Sequence, residues 1–91
     1  MSVEKDMIEK CIALARKYGA TKLILFGSAA RDPGNANDID LACDGIEGWK
    51  IFEFGAELEE LSSVPVDIVP LKPPTRFTRY VEKKGRIIYE L

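Results

Sequence analysis

The sequence contains no histidine. Imidazole catalysis is thereby excluded, and with it Ser-His-Asp and Cys-His nucleophilic sites and histidine-rich zinc centres. Cysteine is scarce. Cys11 and Cys43 are the two present, each in a segment where a small apolar residue would serve as well, which predicts buried free thiols rather than a disulfide. Basic residues form no run longer than Lys83-Lys84 and the net charge is −2, which gives no support for a protein that coats a nucleic-acid backbone. No apolar stretch is long enough to cross a bilayer, and the start lacks the succession of basic, apolar and small residues that marks a signal peptide. The expected setting is cytoplasmic, away from the membrane. A Gly-rich run ending in Lys-Ser or Lys-Thr is also missing, so there is no P-loop.

What remains is a chain of 91 residues, 31% charged and 46% apolar, ordinary values for a globular domain. At this length one domain, residues 1–91, buries about 60–68% of its unfolded surface. There is no room for a separate substrate-recognition domain. Any large substrate must be gripped by this unit, by a second copy in a homo-oligomer, or by a partner chain. The edge strands of so small a sheet invite such pairing.

Hydrophobic periodicity orders the chain as alternating helices and strands. Apolar residues from Val3 to Tyr18 recur at three- and four-residue intervals, which predicts an amphipathic helix with Ser2 as its N-cap and Gly19 as its stop. Leu23 to Phe26 is wholly apolar, as in a strand covered on both faces. Ala29 to Arg31 begins a short helix, cut off by Asp32-Pro33-Gly34-Asn35. Asp38 to Cys43 reads as a strand, Trp49 to Leu61 as a helix, Val64 to Val69 as a strand, Thr75 to Lys84 as a helix and Arg86 to Tyr89 as a final strand. In the second long helix, Trp49, Phe52 and Ala56 form a row that Ile51, Phe54, Leu58 and Leu61 enlarge into a broad apolar face. The fold class is α/β (α+β), a small mixed sheet of about four strands backed by helices.

Three aspartates stand out against that frame. Aspartate is depleted in strand interiors and an unpaired buried carboxylate is costly. Asp40 precedes the apolar Leu41-Ala42-Cys43, and Asp67 lies between Val66 and Ile68 in another strand. Asp38 shares a strand face with Asp40 by the two-residue period, although alone it also reads as a strand-entry residue. Two carboxylates on one strand and a third on a neighbour suit a magnesium ion, which offsets their repulsion. Asp38 and Asp40 form the metal-binding pair, and Asp67 completes the site and orients or deprotonates a hydroxyl nucleophile. Gly27-Ser28 supplies the phosphate side, through close backbone approach, a hydroxyl donor and the amides that open the following helix. Arg31 can neutralise a terminal phosphate, or else is a solvated surface residue.

Leu25-Phe26-Gly27-Ser28-Ala29-Ala30-Arg31, Asn37-Asp38-Ile39-Asp40-Leu41-Ala42, Val66-Asp67-Ile68-Val69 and Gly85-Arg86-Ile87-Ile88-Tyr89 together resemble the minimal nucleotidyltransferases of the DNA polymerase beta superfamily. Those are small prokaryotic proteins often encoded beside a HEPN-domain partner. The resemblance implies a nucleotidyltransferase fold in which Gly27 and Ser28 contact the triphosphate, Asp38 and Asp40 ligate Mg2+ (or Mn2+), and Asp67 is the third active-site carboxylate. It further implies transfer of a nucleoside monophosphate, AMP from ATP, to a tyrosine hydroxyl of a HEPN-type toxin. The alternative is a non-catalytic antitoxin that masks a ribonuclease toxin by surface contact. Trp49, Phe52, Phe77 and Tyr80 are candidates for such a contact, but are expected to be mostly core or half-buried. Many family members carry Gly where this chain has Asp32, which adds a negative charge near the phosphate turn.

Overall fold

The computed structural model describes residues 5–32 and 35–91. Eight elements follow in the predicted order: α1 (Lys5–Lys17), β1 (Lys22–Phe26), α2 (Ser28–Arg31), β2 (Ile39–Asp44), α3 (Lys50–Ser62), β3 (Val66–Pro70), α4 (Arg76–Lys84) and β4 (Arg86–Glu90). The expected Ser2 cap and the Pro33-Gly34 turn lie outside the described residues.

The four strands form one mixed sheet in the order β3-β2-β1-β4. β1 pairs antiparallel with both β2 and β4, and β2 pairs parallel with β3. A parallel neighbour requires a crossover, which α3 provides. β1 and β2 are thus the inner strands, as their apolar runs demand.

Alternation along these strands separates two cores. Leu23 and Leu25 of β1 and Ile39, Leu41 and Cys43 of β2 point to α1 and α3, where they meet Cys11, Leu14, Phe54 and Leu58. Ile24 and Ala42, one residue out of phase, point the other way and pack with Leu71 and Val81 beneath α4. Burial pushes the thiols of Cys11 and Cys43 up to about 11, and both cysteines are free. They are small apolar fillers, as predicted.

The phase of α3 differs from the expected one. Phe54, Leu58 and Ser62 are its buried residues, and Ile51 is partly buried. Trp49 and Phe52 instead stand 62% and 82% exposed, with Ala56 also turned outward. Apolar residues surround much of this helix, so spacing alone permits more than one inward face. Phe54 and Leu58 win because they oppose Leu23, Leu25 and Leu41 on the sheet. Phe77 and Tyr80 are likewise exposed, 50% and 62%, so none of the four singled-out aromatics is a core residue.

α4 starts at a reciprocal cap. The Thr78 amide donates to Thr75 Oγ1 at 3.1 Å, and the Thr75 amide donates to Thr78 Oγ1 at 2.7 Å. Such a box satisfies two helix-end donors and is worth about 1 kcal/mol. It anchors α4 on the second face of the sheet. The edge strand β3 is a poorer docking template than its sequence suggests. The Ile39 amide donates to the Pro65 carbonyl and the Leu71 amide to the Cys43 carbonyl, so Asp67 and Val69 face β2 and the backbone of Val66, Ile68 and Pro70 faces outward. The Val66 amide already donates to Glu59 Oε1 at 3.0 Å and proline has no amide, leaving only the Ile68 amide for a partner strand. Such blunting is how proteins protect an edge.

Candidate active site

The strand register places the predicted carboxylates. Asp40 sits opposite Phe26 on one side and Asp67 on the other, so Phe26, Asp40 and Asp67 form a row across three strands. Directly paired residues share a face, the one that carries α4. Asp38 is not in the ladder. It lies in the bend just before β2 and is held by the Ser28 hydroxyl, which donates to its Oδ1 at 3.1 Å. The Gly27-Ser28 turn and the first carboxylate are therefore directly joined.

Gly27 makes that approach possible. Its φ is +71°, a left-handed conformation that disfavours other residues, and a side chain there would run into the Asp40 carboxylate. The Ala30 and Arg31 amides turn back to the Gly27 carbonyl and that of Asp32 to the Ser28 carbonyl. The geometry of a helix start leaves the Ser28 and Ala29 amides without intrahelical partners. Asp32, the departure from the family pattern, is exposed and accepts from the Asn35 side chain at 2.9 Å. Its carboxylate is engaged by the loop.

Burial raises the Asp40 carboxyl above the usual range, and the charges of Asp38 and Asp67 raise it further, while Arg31 pulls it back. The electrostatics thus bring all four residues into one field. Asp40 is half-buried, on an inner strand, whereas Asp67 is exposed because β3 is an edge. Asp67 was conspicuous in the sequence for interrupting an apolar strand. Its solvent access removes most of that cost.

Hard carboxylate oxygens are the donor type that magnesium takes, and the mutual repulsion recorded at Asp40 is what a cation relieves. Asp38, Asp40 and Asp67 fit a divalent ion by donor chemistry, Asp40 and Asp67 sharing a sheet face and Asp38 standing in the bend beside Ser28. Among the described residues, no three acidic or thiol side chains are already drawn together as a metal-holding group.

Two surroundings of the row went unseen in the sequence. A cleft of about 340 Å³ lies between α2 and α4, lined by Phe26, Gly27, Ala30, Arg31, Tyr80 and Lys84 among others. A groove of about 380 Å³ runs between α3 and β3, where Phe52, Ala56 and Ile68 adjoin Asp67. Tyr80 and Lys84 are far along the chain from the Gly27-Ser28 turn, and no local motif marks them.

Comparison with known proteins bears on this arrangement. Residues 9–91 match the family described as polymerase beta, nucleotidyltransferase. A solved structure assigned as a minimal nucleotidyltransferase is 31% identical, with a TM-score of 0.74 over 93% of this chain and 94% of that one. A toxin–antitoxin structure with AMP-PNP gives a TM-score of 0.78 at 22% identity, over 92% of this chain and 73% of that one. A complex of tri-AMPylated Shewanella oneidensis HEPN toxin with MNT antitoxin gives 0.76 at 20% identity, over 96% and 72%. A 52-residue stretch, 57% of this chain, is 42% identical to the non-reducing polyketide synthase nscA of Arthroderma gypseum, but it spans only 2% of that protein. The chain belongs to the polymerase beta nucleotidyltransferase family, as one of its minimal nucleotidyltransferases.

Proposed function

We propose that this protein transfers a nucleoside monophosphate, AMP from ATP, to a tyrosine hydroxyl of a HEPN-type partner toxin, and so acts as an antitoxin. The observation that carries this reading is the joining of the Gly27-Ser28 turn to two carboxylates, through the Ser28–Asp38 hydrogen bond and the Gly27 backbone against Asp40, with Asp67 paired to Asp40. The AMP-PNP bound in one similar toxin–antitoxin structure and the AMPylated HEPN toxin in another support the choice of nucleotide and acceptor.

The acceptor oxygen attacks the α-phosphorus, its new P–O bond forming as the bond to the β-phosphate bridging oxygen breaks. Pyrophosphate leaves with the electron pair of that bond. Asp67, exposed at the end of the row, accepts the hydroxyl proton or orients the hydroxyl for attack. The Ser28 hydroxyl exchanges Asp38 for a phosphate oxygen, and the opening amides of α2 add donors. Asp38 and Asp40 would hold Mg2+, or Mn2+, with Asp67 as a third ligand. When bound, the ion supplies charge neutralisation for the triphosphate. Arg31, already within the field of Asp40, faces the polyphosphate. Holding nucleotide and hydroxyl in line is the main contribution of so small a scaffold.

The test is transfer of labelled adenylate to the partner in the presence of magnesium. Transfer is expected from the wild type and should vanish in Asp38→Ala and Asp40→Ala proteins that still fold and still bind the partner. If those variants restrain the toxin as fully as the wild type, masking by contact replaces catalysis as the function.

A further inference from the structure

α4 divides its surface between the sheet and the active site. Thr78 and Val81 are buried against the second core, while Phe77, Tyr80 and Lys84 recur at the i, i+3 and i+7 spacing that gathers residues on one helix face. This stripe borders the carboxylate row. The ring of Phe77 meets that of Phe26 edge-on with centroids 5.6 Å apart, and Phe26 is paired with Asp40. Tyr80 and Lys84 line the cleft whose other wall carries Gly27 and Arg31. Gly85 sets the closeness of that wall. A side chain there would lie 2.5 Å from Ile24 Cγ2 and 2.6 Å from the Val81 carbonyl oxygen, so the last turn of α4 rests directly on β1.

The cleft has a cation from each side, Arg31 from α2 and Lys84 from α4, and no acidic residue lines it. Gly27 is part of its lining, so the cleft adjoins the Gly27-Ser28 turn. We infer that α4 forms the second wall of the nucleotide site, with Lys84 and Arg31 together receiving the terminal phosphates that depart as pyrophosphate. This rests on the nucleotidyl-transfer reading above. Negative charge grows on the leaving pyrophosphate as the bond to the α-phosphorus breaks, and a cation at that end stabilises the transition state beyond the ground state. Lys84 also lies in the last turn of α4, where a positive charge favours the helix dipole. Lys83 has that same placement without lining the cleft, and so separates the two roles.

The experiment is a titration of ATP, inorganic tripolyphosphate and AMP, each with magnesium, into the wild type and the Lys84→Met, Lys84→Arg and Lys83→Met variants. Lys84→Met is expected to weaken ATP and tripolyphosphate about tenfold, the effect of one charge-assisted contact, and to leave AMP unchanged. Lys84→Arg should restore most of the affinity, Lys83→Met should match the wild type, and equal Tm values for the two methionine variants would show that the helix is equally intact. The inference is overturned if Lys84→Met leaves tripolyphosphate binding within about twofold of the wild type, or weakens AMP equally. Adenylate transfer by the wild type in either case leaves the transfer reading standing. A wild type that binds neither ATP nor tripolyphosphate overturns both.

Discussion

Against α1 and α3 the sheet presents Leu23, Leu25, Ile39 and Leu41, all almost completely buried. On the α4 side, beyond the buried Ile24 and Ala42, the same strands and β3 present Phe26, Asp40 and Asp67, none fully buried. α4 covers Ile24 and Ala42 through Val81 and stops short of the carboxylates. A two-residue period lets one strand serve both needs. The first face supplies stability and the second carries charge that a stability-optimised sheet would avoid, so damage to the two faces should have separable consequences.

The widest separation is expected from Asp40→Ala. Activity should fall at least about 100- to 1,000-fold, as when a transition-state electrostatic contact is removed, with the far-ultraviolet dichroism and cooperative melt retained. Loss of the fold in that variant would break the division between faces. The converse change is Phe54→Ala in the packed face, which should cost about 3–5 kcal/mol and lower Tm by roughly 15 °C or more, measured by thermal or denaturant unfolding.

A smaller effect of opposite sign is expected from Asp40→Asn. The folded state raises the carboxyl of Asp40, so it holds that proton more tightly than the unfolded chain, and stability declines as pH rises from the ordinary aspartate range through the folded value. Asp40→Asn removes that decline. It should raise Tm by a few degrees at neutral pH, with the gain shrinking as pH falls into the ordinary aspartate range. Added magnesium should raise the Tm of the wild type and not that of Asp40→Asn, through ligand linkage.

The smallest expected stability change is that of Phe52→Ala, within about 0.5 kcal/mol, because the ring is largely in solvent. It adjoins Asp67 in the groove between α3 and β3, where, on the proposed role of Asp67, an acceptor-bearing partner would approach. Calorimetric titration with the partner should therefore register a loss of affinity that the melt does not.

Much of this was legible in the sequence because the signals were local. The wholly apolar Leu23 to Phe26 marked an inner strand, and Gly27-Ser28, Asp38, Asp40 and Asp67 were legible as candidates, with Ser28 bonded to Asp38 and Asp67 paired with Asp40 in the structure. Three matters were set by tertiary packing instead. α3 is apolar on most sides, so only the opposing sheet residues decide that Phe54 faces in and Phe52 out. Asp67 looked as costly as Asp40 until β3 proved to be an edge. Tyr80 and Lys84 are joined to Arg31 only by the return of α4 over β1, which periodicity within a single helix does not encode.

The central claim is that the carboxylate row and the phosphate turn are one transfer site, and intact-mass spectrometry of the partner tests it most directly. A HEPN-domain protein in stoichiometric complex with this chain would be incubated with magnesium and a mixture of nucleoside triphosphates. The expected result is a mass increment of adenylate on the partner, mapped by fragmentation to a tyrosine and absent with Asp38→Ala. A stable complex with no increment from any nucleotide, with magnesium or manganese, would contradict it.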